Sequence, residues 1–297
     1  VLSCRYFGNF FRLQCQDKII NIFCEDFVTT IKERSIYEND NIFYTGLING
    51  KLTEWEIIPH LDTETKNKKK AIKCMYNFEI KEVKHIYAHK SSISIIEVYP
   101  KQKIIITSGE DKFIYIRKAI DFELLTAIDL TYSFGNPVIS KYLNIFPSLI
   151  KVSELNLLYV LIYDYDKQKT FIRGYNLNGI FFAQTNQEEF KNNNNEDLLF
   201  NHFSFTKYSN LIAGFYNSNN VYVLNGGTLT PIWDSELEEK EEGKKEKKEK
   251  TKDVKKEIGS KLLEFNPSNG DVYMLKESEI IISTIKEKSK LKELESL

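Results

Sequence analysis

The sequence is poor in the residues that build metal and redox sites. It has four cysteines, Cys4, Cys15, Cys24 and Cys74, and no CxxC pair among them. It has four histidines, none at ligand spacing from a cysteine, so a zinc site is not expected. This cysteine usage fits a reduced, cytosolic setting. Charge of one sign is also lacking: Lys and Arg number 41, Asp and Glu 42, and the net charge is −1. No strong field is available to steer nucleic acid or to hold a charged membrane surface. No apolar run approaches the ~18 residues of a spanning helix. GxSxG, GxGxxG and GxxxxGK[ST] are all absent, which removes the usual signals for hydrolase and nucleotide chemistry. No cofactor and no catalytic activity are expected. Val1 is not an initiator methionine and no signal peptide precedes it, so the chain reads as a piece of something longer.

What the sequence does have is aromatic and β-branched residues arranged in short runs. Apolar residues make up 42% of the 297 positions and aromatics 13%, enough for one large all-β domain. The most informative stretch is 89–117, HKSSISIIEVYPKQKIIITSGEDKFIYIR. Ile93–Ile96, Ile104–Ile106 and Phe113–Ile116 are three β-rich runs, separated by Tyr99–Pro100 and by the turn Ser108–Asp111. His89 precedes Asp111 by 22 residues. That is the layout of one blade of a WD-type β-propeller, whose period is ~40–45 residues. In such a blade a His reaches the Asp of the turn between the second and third strands through a Ser or Thr, here Thr107. A Trp on the third strand completes the set, and Arg117 stands in its place, so the expected blade network of His89, Thr107, Asp111 and Arg117 is partial.

The same rhythm recurs along the chain. Gly8–Asn9 and Asn49–Gly50 are hairpin turns 41 residues apart, one blade period. Trp55–Glu56 occupies the place of a WD dipeptide. Asn49 to Asp111 is 62 residues, and the excess is assigned to an insertion at 59–84 centred on the polar run DTETKNKKKAIK, residues 62–73. Further strands are expected at 124–128, 149–152, 157–163, 171–176, 180–182, 203–205, 211–214, 221–224, 262–265, 272–275 and 280–282, with an Asn/Ser turn at 217–220. This gives about six degenerate blade-like units over 1–285 and a polar tail at 286–297. A second insertion spans 236–257, with nine acids against nine bases in 22 residues and too little apolar content to bury a core. Asn192–Asn195 reads as a loop tip. Because Val1–Cys4 leads straight into the first hairpin, the first blade is expected to lack a strand, leaving an incomplete ring.

Three groupings of reactive residues have plainer readings. His89, Ser108 and Asp111 have the composition of a hydrolase triad, but their spacing and strand context fit a repeat. Asp164 and Asp166 have the composition of an acid–base pair, but they sit in a Lys-flanked turn and are expected to be a solvated hairpin tip. The lysines at 66, 68, 69, 70 and 73 are expected in a solvated loop, with no aromatic platform for RNA. Trp55 is expected in the core, and Trp233 is the better candidate for a surface anchor.

One family resemblance is carried by particular residues. VLSCRYFGNFFRLQ, residues 1–14, resembles the segment that opens the C-terminal WD repeats of BEACH-domain proteins, the neurobeachin-like group. Cys4, Tyr6, Phe7, Asn9, Phe11 and Arg12 match, while Gly8 departs from the usual acidic residue. Arg173–Gly179, RGYNLNG, is similar to the Tyr-Ser-Ile-Asn-Gly phrase of a later blade in that family. The resemblance implies a BEACH module upstream and a scaffold role in vesicle traffic, lysosome-related organelles or autophagy. It further implies protein partners, no nucleic acid, peripheral membrane contact at most, and a cytoplasmic location near endomembranes. The alternative is an unrelated WD adaptor of a ubiquitin-ligase or RNA-processing complex.

Overall fold

The computed structural model describes residues 2–15, 18–34, 41–61, 76–131, 144–186, 189–190, 199–205, 211–215, 218–235, 261–266, 271–276 and 279–284. The insertion at 236–257, the polar run 62–73, Asn192–Asn195 and the tail 286–297 lie outside these residues.

The described residues form 22 strands in six antiparallel sheets, each built from consecutive strands. The first sheet holds β1 (Leu2–Phe7), β2 (Phe10–Cys15) and β3 (Lys18–Phe23). The second holds β4 (Val28–Glu33), β5 (Ile42–Leu47), β6 (Lys51–Leu61) and β7 (Tyr76–Tyr87). The third holds β8 (Ile93–Tyr99), β9 (Ile104–Gly109), β10 (Phe113–Lys118) and β11 (Leu124–Asp129). The fourth holds β12 (Ile145–Val152), β13 (Leu157–Asp164), β14 (Lys169–Asn176) and β15 (Phe181–Gln184). The fifth holds β16 (Phe200–Phe205), β17 (Leu211–Phe215), β18 (Ser218–Leu224) and β19 (Pro231–Ser235). The sixth holds β20 (Lys261–Asn266), β21 (Asp271–Lys276) and β22 (Glu279–Thr284).

The chain divides into two compact units, Val1–Tyr142 and Leu143–Leu297. In the first unit the cores lie between successive sheets. Phe11 and Leu13 of β2 pack against Val28, Phe43, Leu47 and Trp55 of the second sheet. Tyr44 and Leu52 pack against Ile93, Ile96, Ile105 and Phe122 of the third. In the second unit Tyr159, Leu161 and Ile172 pack with Phe190, Phe200, Phe203 and Leu224. The second strands of the third and fourth sheets are buried on both faces, each lying between neighbours in its own sheet. Accordingly β9 is buried along its whole length, and Leu158 to Ile162 of β13 are at most 1% exposed.

Three expectations need correction. Pro59 to Leu61 and Tyr76 to Lys84 are not loop: they belong to the β6–β7 ladder, which runs out to Leu61↔Tyr76 with one irregularity, at Val83. Alternating apolar residues such as Phe78 and Ile80, which reach the core, favour the ladder over a solvated loop. Residues 218–220 begin β18, with Ser218 opposite Phe215, and are not a turn. Ser218 is held by its partner Phe215, and Asn219 and Asn220 are taken up in the register shift before Gly214↔Val221. β12 starts at Ile145, four residues before the expected strand at 149, and a bulge between Pro147 and Leu149 accommodates the residue that lacks an N–H.

Candidate functional site

The expected polar residues converge where the segment entering each sheet meets the turn between its second and third strands. In the third sheet the entering segment is 88–92 and the turn is 110–112. Glu110 N–H donates to Ser92 C=O at 2.9 Å, which ties the two together. In the second sheet Ile48 N–H donates to Phe27 C=O at 2.9 Å in the same way. Each entering segment also grips the turn of the preceding sheet. Ala88 N–H and His89 N–H reach Gly50 C=O at 2.9 and 3.2 Å, and Cys24 N–H reaches Asn9 C=O at 2.8 Å. Gly50 has φ +82°, and a Cβ on it would stand 2.1 Å from His89 O, so only glycine fits this crossing.

His89 is buried against that crossing. Its Nδ1 lies 2.9 Å from Asp111 Oδ1 and its Nε2 lies 2.9 Å from Thr107 Oγ1. A carboxylate accepts only, so Nδ1 carries a proton; in the neutral ring Nε2 then accepts from the Thr107 hydroxyl. Asp111 also accepts from Lys90 N–H at 3.0 Å and Phe113 N–H at 3.2 Å. Burial pushes its carboxyl up, but His89 and the two backbone donors outweigh burial and hold it below the usual carboxylate range. Ser108 takes no part: its hydroxyl donates to Phe113 C=O at 3.3 Å. Both nitrogens of His89 are occupied and its side chain is fully buried, so the three residues have no geometry for nucleophilic catalysis.

Arg117 stands outside this set. Its Nη1 donates to Phe122 C=O at 3.1 Å, Nη2 lies 3.5 Å from Ala88 O, and the guanidinium stacks 5.3 Å from the Tyr115 ring. Burial lowers the guanidinium's pKa, and Tyr115 opposes the shift. The 62-residue interval separating Asn49 from Asp111 also separates Thr45 from Thr107 and Trp55 from Arg117. The ladders agree, since Trp55 pairs with Phe43 and Arg117 with Ile105. At this place in the second sheet Trp55 Nε1–H donates to Thr45 Oγ1 at 2.9 Å in a buried bond. Its ring packs edge-on to Phe11 and stacks on Phe43. Glu56 does not share the bond: it lies between Ile42 and Lys81 in the ladder. The sequence reading missed the Thr45–Trp55 bond, although the 62-residue interval, extended from the turns to the strands, pointed to it.

Two sheets therefore hold complementary halves of one arrangement. The third has His, Thr and Asp without Trp; the second has Trp and Thr, with Cys24 in the entering segment and Asn49 in the turn. Asn49 Oδ1 accepts from Lys51 N–H at 3.1 Å, and Asn49 Nδ2 donates to Glu25 Oε1 at 3.0 Å. Glu25 also receives Lys51 Nζ at 3.2 Å and Tyr87 OH at 3.0 Å, and these partners, Asn49 first, lower its pKa. Burial pushes the Cys24 thiol up to about 11, so it is no nucleophile near neutrality.

The fourth sheet repeats the substitution. Counted along its ladder, Arg173 falls in the tier of Arg117, opposite Val160, and stacks 5.0 Å from the Phe171 ring two residues before it. The turn ahead of it also corrects an expectation. Asp164 is 3% exposed, not solvated, and its Oδ1 accepts from Asp166 N–H and Lys167 N–H at 3.1 Å each. Asp166 accepts from Asn144 N–H at 3.2 Å, as Asp111 does from Lys90. A short carboxylate that closes its own turn can be buried without losing hydrogen bonds.

Among the described residues no three His, Cys, Asp or Glu side chains are grouped to hold a metal ion, and no helix is long and apolar enough to cross a membrane. No family model and no curated protein matches the chain. Among solved structures it is similar to the β-propeller domain of Cps50 (Swd1) from Myceliophteria thermophila, with 12% identity and a TM-score of 0.52, over 94% of this chain and 80% of that one. At that identity the likeness speaks for architecture, and six consecutive antiparallel sheets agree with it: the fold is that of a WD-type β-propeller.

Proposed function

We propose that this propeller is a non-catalytic protein-interaction platform. The observation that carries the reading is the state of its reactive side chains. His89, Asp111, Asp164 and Cys24 are each committed to hydrogen bonds or burial that hold turns in place. What the turns and entering segments leave outward is exposed apolar surface, such as Phe27, Ile48 and Tyr87 at 56%, 47% and 65%. Function in such folds resides in loop-lined faces.

Within that class we place the chain beside the BEACH-type trafficking scaffolds, with protein partners, a cytoplasmic location and peripheral contact with endomembranes. The matching residues of 1–14 and 173–179 support this. Their roles fit motif positions under constraint. Phe11 is fully buried, and Arg12 Nε donates to Asn21 Oδ1 at 2.9 Å. A Cβ on Gly174 would stand 2.4 Å from the Phe182 ring, and Asn176 Oδ1 accepts from Asn178 N–H and Ile180 N–H to close the next turn. The test is proximity labelling by the native protein, with the residues upstream of Val1 read from its transcript. Vesicle and endomembrane proteins together with an upstream helical BEACH module are expected. Ubiquitin-ligase or RNA-processing subunits and no such module would assign the chain to an unrelated WD adaptor.

A further inference from the structure

Asparagine followed by glycine can react with its own backbone. The glycine nitrogen gives up its proton and attacks the asparagine Cγ. A C–N bond forms, the Cγ–Nδ2 bond breaks, and ammonia leaves. Water then opens the succinimide ring at either carbonyl, giving Asp or its β-linked isomer. Glycine has no Cβ to hinder the approach. Asn–Gly occurs four times in this chain, at 49, 178, 225 and 269, the last of them outside the described residues.

Two of these pairs sit in turns with the same backbone. Gly50 and Gly179 both have φ +82°. Gly50 N–H donates to Leu47 C=O at 3.0 Å, and Gly179 N–H donates to Asn176 C=O at 2.9 Å. The attacking nitrogen is therefore restrained alike in both turns, and the asparagine side chains make the difference. Asn49 is held at both ends of its amide. Its Oδ1 accepts from Lys51 N–H at 3.1 Å, and its Nδ2, the leaving group, donates to Glu25 Oε1 at 3.0 Å. Glu25 is itself fixed by Lys51 Nζ and Tyr87 OH. Asn178 makes no side-chain bond among the described residues; its backbone N–H alone is engaged, by Asn176 Oδ1 at 3.0 Å. The Asn178 amide can swing its Cγ toward Gly179 N, whereas Asn49 must first break its bonds.

We propose that, of these two turns, Asn178 deamidates while Asn49 is protected by Glu25. Both contrasts are local to one turn and its hydrogen-bond partners. Conversion at 178 exchanges a neutral amide for a carboxylate, and the β-linked product adds one carbon to the backbone between β14 and β15. Conversion at 49 would do more damage. A second carboxylate would face Glu25 Oε1, where Nδ2 now donates, and like charges at that distance repel. The β-linked form would also shift Gly50 beneath His89 O, where even a Cβ would stand at 2.1 Å. Gly50 C=O receives Ala88 N–H and His89 N–H, so the Glu25 bond guards the crossing between the second and third sheets.

The test holds the full 297-residue chain at mildly alkaline pH and follows both sites in one digest by mass spectrometry, counting Asp and its β-linked isomer together. Asn178 should convert about tenfold faster than Asn49, the weight of one hydrogen bond to a charged group. Glu25→Ala should raise the Asn49 rate about tenfold and leave Asn178 unchanged. Glu25→Gln keeps an oxygen for Nδ2 but not the charge, and should give a smaller rise at Asn49. In urea both sites should convert at one rate, since neither side chain is then held. Equal rates at the two sites in the folded wild type would overturn the proposal, as would an Asn49 rate that Glu25→Ala does not move. If Glu25→Ala unfolds the chain, seen as a faster Asn178 as well, Glu25→Gln decides, and no rise at Asn49 in that variant would overturn the proposal.

Discussion

Thr45 and Thr107 hold the same position in neighbouring sheets, yet their hydroxyls do opposite work. Thr45 accepts the indole proton of Trp55; Thr107 donates to His89 when the imidazole is neutral. Both are buried, so removing either partner leaves a polar atom unsatisfied. His89→Ala and Asp111→Ala should each cost ~1–3 kcal/mol, read as a lower urea midpoint at unchanged slope. Midpoints equal to wild type would mean that the pair contributes nothing to the fold. Trp55→Phe keeps most of the ring contacts with Phe11 and Phe43 but removes the N–H, and should cost ~1–2 kcal/mol by the same measure. The sign of the pH effect follows from the depressed pKa of Asp111. The folded state holds the proton less tightly than the unfolded chain, whose Asp titrates near ~3.9. The stabilisation is complete above that range and disappears as the pH falls through the folded value. Urea midpoints should therefore fall on acidification more steeply in wild type than in Asp111→Asn.

At the scale of elements, the β6–β7 hairpin is the longest feature of the first unit. The two strands pair without a break in order from Trp55↔Glu82 to Leu61↔Tyr76. Replacing 62–75 with Asn-Gly should leave the melting midpoint within about 2 °C, because the closing turn is short and the ladder is unchanged. A fall of several degrees would show that the replaced residues pack on the sheet. Deleting 236–257, whose balanced charge and low apolar content argue against core packing, should likewise leave the midpoint nearly unchanged in calorimetry. Strands whose sequences are strongly apolar or flanked by clear turns, such as β9, β10 and β13, were legible. β3, β4, β7 and β19 were not. KIINIF and VTTIKE alternate only weakly, and such segments become strands because a neighbouring strand supplies hydrogen-bond partners and one covered face.

At the scale of the whole molecule, the two compact units should show the same gradient of protection. Second strands covered on both faces exchange their amides only through large openings, whereas the last strand of a sheet opens locally. In hydrogen-exchange mass spectrometry, peptides spanning 104–109 and 157–164 should be the slowest, and those spanning 124–129 should exchange earlier. A reversed order would place the stable centre of the fold elsewhere. Exposed Leu124 and Leu125 on β11, at 46% and 47%, mark the outer limit of that gradient in the third sheet.

Period, turn chemistry and strand composition by themselves determined the all-β class, the count of about six blade-like units and the grouping of His89 with Thr107 and Asp111. Those features are written in spacing, and spacing survives in a one-dimensional string. Tertiary structure alone decided which Thr receives Trp55, that Arg117 turns from the network to Tyr115 and Phe122, and that Asp164 is buried instead of solvated. The physical reason is the same in each case. A side chain's partner depends on which strands become neighbours and in which register, and a one-residue shift of either would exchange the buried face for the exposed one.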